Sequence, residues 1–214
     1  MSQVVIYIGV LTEYQGIDLL IQAIPLVTRE FPDVKFLIVG YPNEDSYREK
    51  ARVLGVEKFV HFTGKVPHEE LPRYLSLADV AVSPKISITE ANLKLFAYLG
   101  MALPTVVFDN PINREILGDL GVYAKPGDVQ SLAGALLGIL RDRSRARQLG
   151  AQGRLKAAAD YSWLAVGERL KSVYESVGHS ASENNHKEGE ENNYAKIEDP
   201  GHRGRRFHGL PSSK

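Results

Sequence analysis

The sequence predicts an α/β domain over residues 1–177, a doubly wound parallel sheet with additional helices at its C-terminal end, followed by a disordered polar tail over 178–214. Three observations predict it. Short β-branched runs alternate with stretches of helical period from Val4 to Ala124, the pattern of repeated βαβ units covered on both faces. After Pro126-Gly127 the period is helical only. At Gly178 the composition turns abruptly to Ser, Asn, Glu, His, Gly and Arg, and too little apolar surface remains to offset an ordering cost of ~1–2 kcal/mol per residue.

The elements follow in order. Residues 4–10 (VVIYIGV) are β-branched and aromatic, as in a buried parallel strand, and they read as a strand rather than a leader because no basic segment precedes them. From Ile17 the period changes: Ile17, Leu20, Ile21 and Ile24 form the stripe of an amphipathic helix. The unit recurs with a strand over 35–39 ending at Gly40, a polar helix over 45–54 and a strand over 60–63. A short helix over 71–77 leads to a strand at 80–82, a helix over 90–99 to a strand at 105–108, and a helix near 113–117 to a strand at 122–124. Helices are expected over 131–140, 144–159 and 163–177, the last with Trp163, Val166, Leu170, Val173, Tyr174 and Val177 on one stripe.

Composition narrows the function classes. Lys plus Arg equals Asp plus Glu at 26 each, so no overall field draws the chain to nucleic acid. There is no cysteine, which removes disulfides, thiolate nucleophiles and Cys-ligated metals, and the expected location is a reducing cytoplasm. No apolar run approaches the ~20 residues of a membrane span. The tail's His179, His186, His202 and His208 are irregularly spaced and read as solvated linker, and Arg203, Arg205 and Arg206 are offset by neighbouring acids. No metal site is expected.

In an open parallel sheet, ligands bind beyond the carboxyl ends of the strands, so the loops there are the candidate site. The first runs from Gly9 to Gly16 through Val10, Leu11, Thr12, Glu13, Tyr14 and Gln15. Its glycines suit a phosphate-holding turn, and equally a plain strand-to-helix turn. The segment from Ser83 to Lys94 brings Lys85, Thr89, Glu90, Asn92 and Lys94 from a strand end into the start of a helix expected near Glu90. Helix N-termini favour anions, Lys94 could add a point charge to a diphosphate, and Glu90 could accept bonds from hydroxyls. The alternative is structural: Thr89 as N-cap, Glu90 as a first-turn acid and Lys94 as its i+4 partner. Asp109, Asn110 and Arg114 follow the fifth strand, where Asp-Asn-Pro is ordinary turn chemistry. His61 and His68 have no neighbouring ligands in sequence.

Several strings, taken in order, carry a resemblance: GVLTEYQGIDLLIQAI, FLIVG, VHFTGKVPHEELPRYLSLADVAVSP, TEANLKLFAYLGMALPTVVFD and NREILGDLGVYAKPGD. Together they resemble the C-terminal, Rossmann-like domain of family 4 glycosyltransferases of GT-B fold, over nearly all of residues 3–177. The resemblance implies a domain that binds the nucleotide and diphosphate of a sugar donor, with no obligatory metal ion or other cofactor. It implies Glu90 near the transferred sugar, as the catalytic acid of the donor motif. Ala91, Asn92 and Leu93 would offer backbone N–H groups to phosphate. Gly9, Thr12, Gln15 and Gly16 would approach the diphosphate from the opposite side, with Lys85 and Lys94 as cations. The loop with Gly64, Lys65 and Val66 would lie beside the base.

The sequence also departs from that pattern. Val10 and Gln15 stand where many relatives have Arg and Lys, and Ala97 and Tyr98 where they often place a second, ribose-gripping acid in an E-x7-E spacing. Relatives precede this domain with an acceptor-binding domain, and the expectation is that transfer needs such a half, in the same chain or as a second subunit. Whether this chain is an enzyme on its own is left open. The competing reading is a non-catalytic interaction module or degenerate transferase domain that kept the fold.

Overall fold

The computed structural model describes residues 2–191, with side-chain surroundings through Val177; the expectations for His202, His208, Arg203, Arg205 and Arg206 lie outside the described residues. Six strands form one parallel sheet in the order β3-β2-β1-β4-β5-β6. They are β1 (Val4–Ile8), β2 (Lys35–Val39), β3 (Val60–Gly64), β4 (Val80–Ser83), β5 (Thr105–Phe108) and β6 (Gly121–Ala124). The chain winds outward from β1 to β3, then returns to lay β4 against the other side of β1. That reversal is a topological switch point, where the loops leaving adjacent strands diverge and open a crevice.

Alternation along each strand builds two cores. Val5 and Tyr7 of β1, Phe36 and Ile38 of β2, Val80 and Val82 of β4, and Val106 and Phe108 of β5 face one side. There they meet α1 (Ile17–Glu30), α2 (Glu44–Val53) and α6 (Val129–Arg141). Ile6, Ile8, Leu37, Val39, Ala81 and Val107 face the other, against α3 (Leu71–Leu75), α4 (Lys94–Gly100), α5 (Pro111–Leu117) and α7 (Arg143–Asp160). The predicted stripe of α1 is the buried one: Ile17, Leu20, Ile21 and Ile24 are all at or below 1% exposure. Such burial of a Leu or Ile side chain is worth about 1.5–3 kcal/mol each.

α7 docks differently. It has no strong apolar stripe, and its buried residues are Gly150 and Gly153. A Cβ on Gly150 would lie 2.0 Å from the carbonyl oxygen of Ala102, and one on Gly153 2.8 Å from Leu99 Cδ2. Backbone-to-backbone approach holds this helix onto the turn after α4, where Ala102 itself sits at φ +56°.

Two boundaries differ from expectation. α4 begins at Lys94, not near Glu90, for reasons given with the site below. The last helix, α8 (Trp163–Glu191), is longer than the 163–177 expected for it. The chain divides into two compact units, Met1–Val166 and Gly167–Lys214. In the second, Leu170, Val173, Tyr174 and Val177 are all exposed. Among the described residues no helix is long and apolar enough to cross a membrane.

Gly150→Ala is expected to destabilise the domain by about 1–3 kcal/mol, because the added methyl must push α7 off Ala102. A lower urea midpoint at unchanged m-value is the readout, and an unchanged midpoint would mean α7 is not seated as described.

Candidate functional site

A cavity of about 390 Å³ opens at the switch point, beyond the C-terminal ends of β1 and β2. Gly9 and Val10 follow β1 into its wall, Gly40 and Tyr41 follow β2, and Val66 and Leu71 come from the segment after β3. Ile8 and Val39 line it from the strand ends themselves, and the remaining wall is Gln15 with Lys85, Glu90, Ala91, Asn92, Leu93 and Lys94. A pocket of this size suits a small-molecule ligand. Most of the predicted site therefore converges on one place.

Two glycine contacts make the convergence possible. Gly40 packs against the Gly9 peptide so closely that a Cβ would stand 1.8 Å from Gly9 O. Gly16, at φ +74°, meets Pro84 in the same way, with a Cβ placed 1.9 Å from Pro84 O. Ile86 N then donates to Tyr14 O at 3.0 Å, knitting the first loop to the segment after β4.

That segment is not the helix start that local signals predicted. The N-cap position of α4 is Leu93, without a side-chain cap, and residues 84–93 are irregular. Lys85, only 3% exposed, donates from Nζ to Glu90 O at 2.9 Å and lies 3.5 Å from Ala91 O. The same ammonium stands 3.5 Å from the Glu90 carboxylate. Carbonyls turned onto Lys85 cannot open an α-helix at Glu90. Asn92 adds a second anchor: its Nδ2 donates to Asn113 Oδ1 at 2.9 Å, and its amide also bonds Ser83 Oγ. Asn113 in turn donates to Phe108 O at 2.8 Å. The Glu90–Lys94 ion pair of the structural alternative is absent among the described residues, since Glu90 is engaged by Lys85.

Lys94 occupies a different environment. Its Nζ donates to Gln15 Oε1 at 2.6 Å, lies 3.4 Å from Asn92 Oδ1 and sits 5.3 Å from the centre of the Tyr7 ring. All three partners are neutral. Burial, reinforced by the positive Lys85 and partly offset by Glu90, lowers the Lys94 pKa to about 8. Gln15, buried at 7% exposure, thus stands under a cation rather than supplying one, and Val10 is a 42% exposed apolar wall.

Other predicted residues fall outside the lining. Gly64 ends β3 at φ +73° beside Glu44, and Lys65 Nζ lies 5.2 Å from the centre of the Tyr41 ring, which does face the cavity. Thr12 is not in the wall; its Oγ1 is the single buried side-chain polar atom without a hydrogen-bond partner among the described residues. Asp109 and Arg114 form a two-bond pair at 2.7 Å, and Asn110 caps α5 through Asn113 N. The sequence reading missed Tyr7, Ser83 and Asn113 as supports. Their signal is faint: a polar group in an apolar strand or at a helix start.

Taken together, this is a doubly wound α/β domain with a ligand-sized crevice at its switch point and a buried cation facing it. Residues 2–142 match the family described as glycosyl transferases group 1, and the chain belongs to that family. It is 30% identical over 185 residues to a phosphatidyl-myo-inositol mannosyltransferase of Mycobacterium leprae (strain TN), covering 85% of this chain and 49% of the relative. Among solved structures, the sucrose-phosphate synthase of Thermosynechococcus elongatus is 26% identical at a TM-score of 0.69, covering 83% of this chain and 46% of that one. The Anabaena protein HepE, solved in complex with UDP, superposes at a TM-score of 0.73 with 18% identity, covering 82% of this chain and 49% of its own. The chain spans about half the length of the curated relatives it matches.

A desolvated charge at Lys94 has a pH signature. An unfolded lysine titrates near ~10.4, so between pH 8 and about 10 the unfolded chain binds more protons and stability rises with pH. Lys94→Met is expected to remove that rise and to raise stability at pH 7 by on the order of 2–3 kcal/mol. Urea midpoints of both proteins from pH 7 to 10 test this; parallel curves would contradict the desolvated charge.

Proposed function

We propose that this domain holds a nucleotide diphosphate sugar in the switch-point cavity and serves as the donor-binding half of a glycosyltransferase. The observation that carries the reading is Lys94: a partly buried, desolvated ammonium whose hydrogen-bond partners are all neutral, at the wall of a ligand-sized cavity. An anion entering there gains a charge-assisted hydrogen bond in a poorly screened site. Family membership and the UDP complex of a protein with this fold favour a nucleotide as that anion.

In this reading the diphosphate lies between Lys94 and the peptide units of Ala91, Asn92 and Leu93, with Gly9 and Gln15 forming the opposite wall and Gly16, outside the lining and packed on Pro84, fixing that loop. Thr12 backs that loop, and its unpartnered hydroxyl is available if the loop tightens on a ligand. Lys85 acts from beneath, holding Glu90 and Ala91, while the Glu90 carboxylate, 64% exposed, reaches the transferred sugar. As the sugar–oxygen bond breaks, charge grows on the leaving diphosphate and Lys94 stabilises it. No resident metal or other cofactor is assigned. Tyr41, Val66 and the neighbouring Gly64 and Lys65 bound the base. The acceptor binds to a further domain or subunit that completes the cleft and excludes water, and the reaction runs in the cytoplasm. The departures at Val10, Gln15 and Ala97 favour a second reading, a non-catalytic module that kept the fold.

Calorimetric titration with UDP, GDP and ADP sugars distinguishes the two: saturable binding of one of them is expected, and a flat response from folded protein would favour the module. Lys94→Met should weaken that binding about 10- to 100-fold, the worth of one charged hydrogen bond. Because Lys94 loses its proton in the unliganded protein near pH 8 and an anion needs it protonated, affinity should fall as pH rises above 8. A Kd flat from pH 7 to 10 would remove Lys94 from the site.

A further inference from the structure

The register of β1 on β4, Val5↔Val80 and Ile6↔Ala81, predicts a next rung in which Ile8 N–H donates to Val82 O. That rung is not direct. Ile8 N donates to the Tyr98 hydroxyl at 3.0 Å, and the hydroxyl donates to Val82 O at 3.3 Å. Two hydrogen bonds in series thus span a gap that a ladder closes with one of ~2.9 Å. The strand tips must therefore stand apart at this point. The next residues along the two strands are Gly9, in the cavity wall, and Ser83, which bonds Asn92.

We infer that Tyr98 is a positioning residue: its hydroxyl replaces a rung between β1 and β4 and so keeps the switch-point crevice open. The residue is fully buried, with its ring in the core that packs α4 on the sheet. Burial raises the hydroxyl's pKa far above neutrality, so it stays protonated and can both accept and donate. Tyr98 lies one helical turn after Lys94, which places the two on the same face of α4. A helix pinned to the strand tips through Tyr98 therefore has its Lys94 ammonium set against Gln15 and the Tyr7 ring. The position that an E-x7-E spacing counts from Glu90 is thus turned into the sheet, where it shapes the cavity without touching a ligand.

The consequence for binding rests on the donor-site reading above; the wedge itself does not. Tyr98→Phe keeps the ring and removes only the hydroxyl, letting the strand tips close. In the full chain, through-hydrogen-bond NMR should show no coupling between Ile8 N and Val82 C′ in the wild type and a direct coupling in Tyr98→Phe. The Kd for whichever of the UDP, GDP or ADP sugars the wild type binds should rise about tenfold or more, a change a purely structural role would not produce. No coupling in the variant, with Kd unchanged and only a lower melting temperature, would overturn the inference. Where the wild type binds none of the three, the donor reading fails and the coupling alone decides the wedge. Should Tyr98→Phe not fold, the wild-type spectrum decides: a direct Ile8–Val82 coupling refutes the wedge, and a slowly exchanging Tyr98 hydroxyl proton without it supports the wedge.

Discussion

No side chain fits between Gly16 and the carbonyl of Pro84, and the architecture of the crevice follows from that contact. Gly16 is the N-cap of α1, and Pro84 is the first residue out of β4, so their approach ties the opening helix of the domain to the far side of the switch point. With those two backbones touching, Gln15 is carried to within 2.6 Å of Lys94, across 79 residues of sequence. On the other flank, Gly40 and Gly9 approach in the same manner. Backbone contact sets the walls, and a left-handed φ at Gly16 is a conformation that a side chain would penalise by about 1–3 kcal/mol.

Within those walls the two lysines take opposite roles, and burial alone does not explain why. Lys85 is the more deeply enclosed, yet carbonyl oxygens and the Glu90 carboxylate surround it, so its charge is spent on holding the loop. Lys94 has only neutral hydrogen-bond partners, and desolvation together with the nearby Lys85 charge outweighs the attraction of Glu90, so its ammonium is left at an energetic disadvantage. A fold does not keep an uncompensated charge without cost, and such sites concentrate where a ligand supplies the missing partner. The buried amide chain from Ser83 through Asn92 and Asn113 to Phe108 O holds the floor beneath them rigid, since each member satisfies the next.

Much of this is legible in sequence, for a physical reason. The alternation of β-branched runs with helical stripes records which face of each element is buried, and the rule that ligands sit beyond parallel strand tips then points to loops that the fold brings together. Gly9, Gln15, Lys85, Lys94 and residues 90–93 do meet at one cavity. Local signals place the start of α4 too early because Thr89 and Glu90 form a good capping signature, and such signatures are silent about Lys85 capturing the Glu90 carbonyl. A helix is expected over 144–159, but the docking surface of α7, two glycines against a strained turn, leaves no apolar stripe to read.

What near neighbours along the chain fix is legible directly: element type, the order of strands and helices, and which loops leave the carboxyl ends of the strands. Tertiary structure decided the rest, because it turned on residues distant along the chain. Which lysine is left with only neutral hydrogen-bond partners depends on Gln15 meeting Lys94. Whether Tyr98 faces a ligand or the sheet depends on Ile8 and Val82 arriving at either side of its hydroxyl. Periodicity assigns a residue to a face, but only the packed fold supplies the partner that gives it a role.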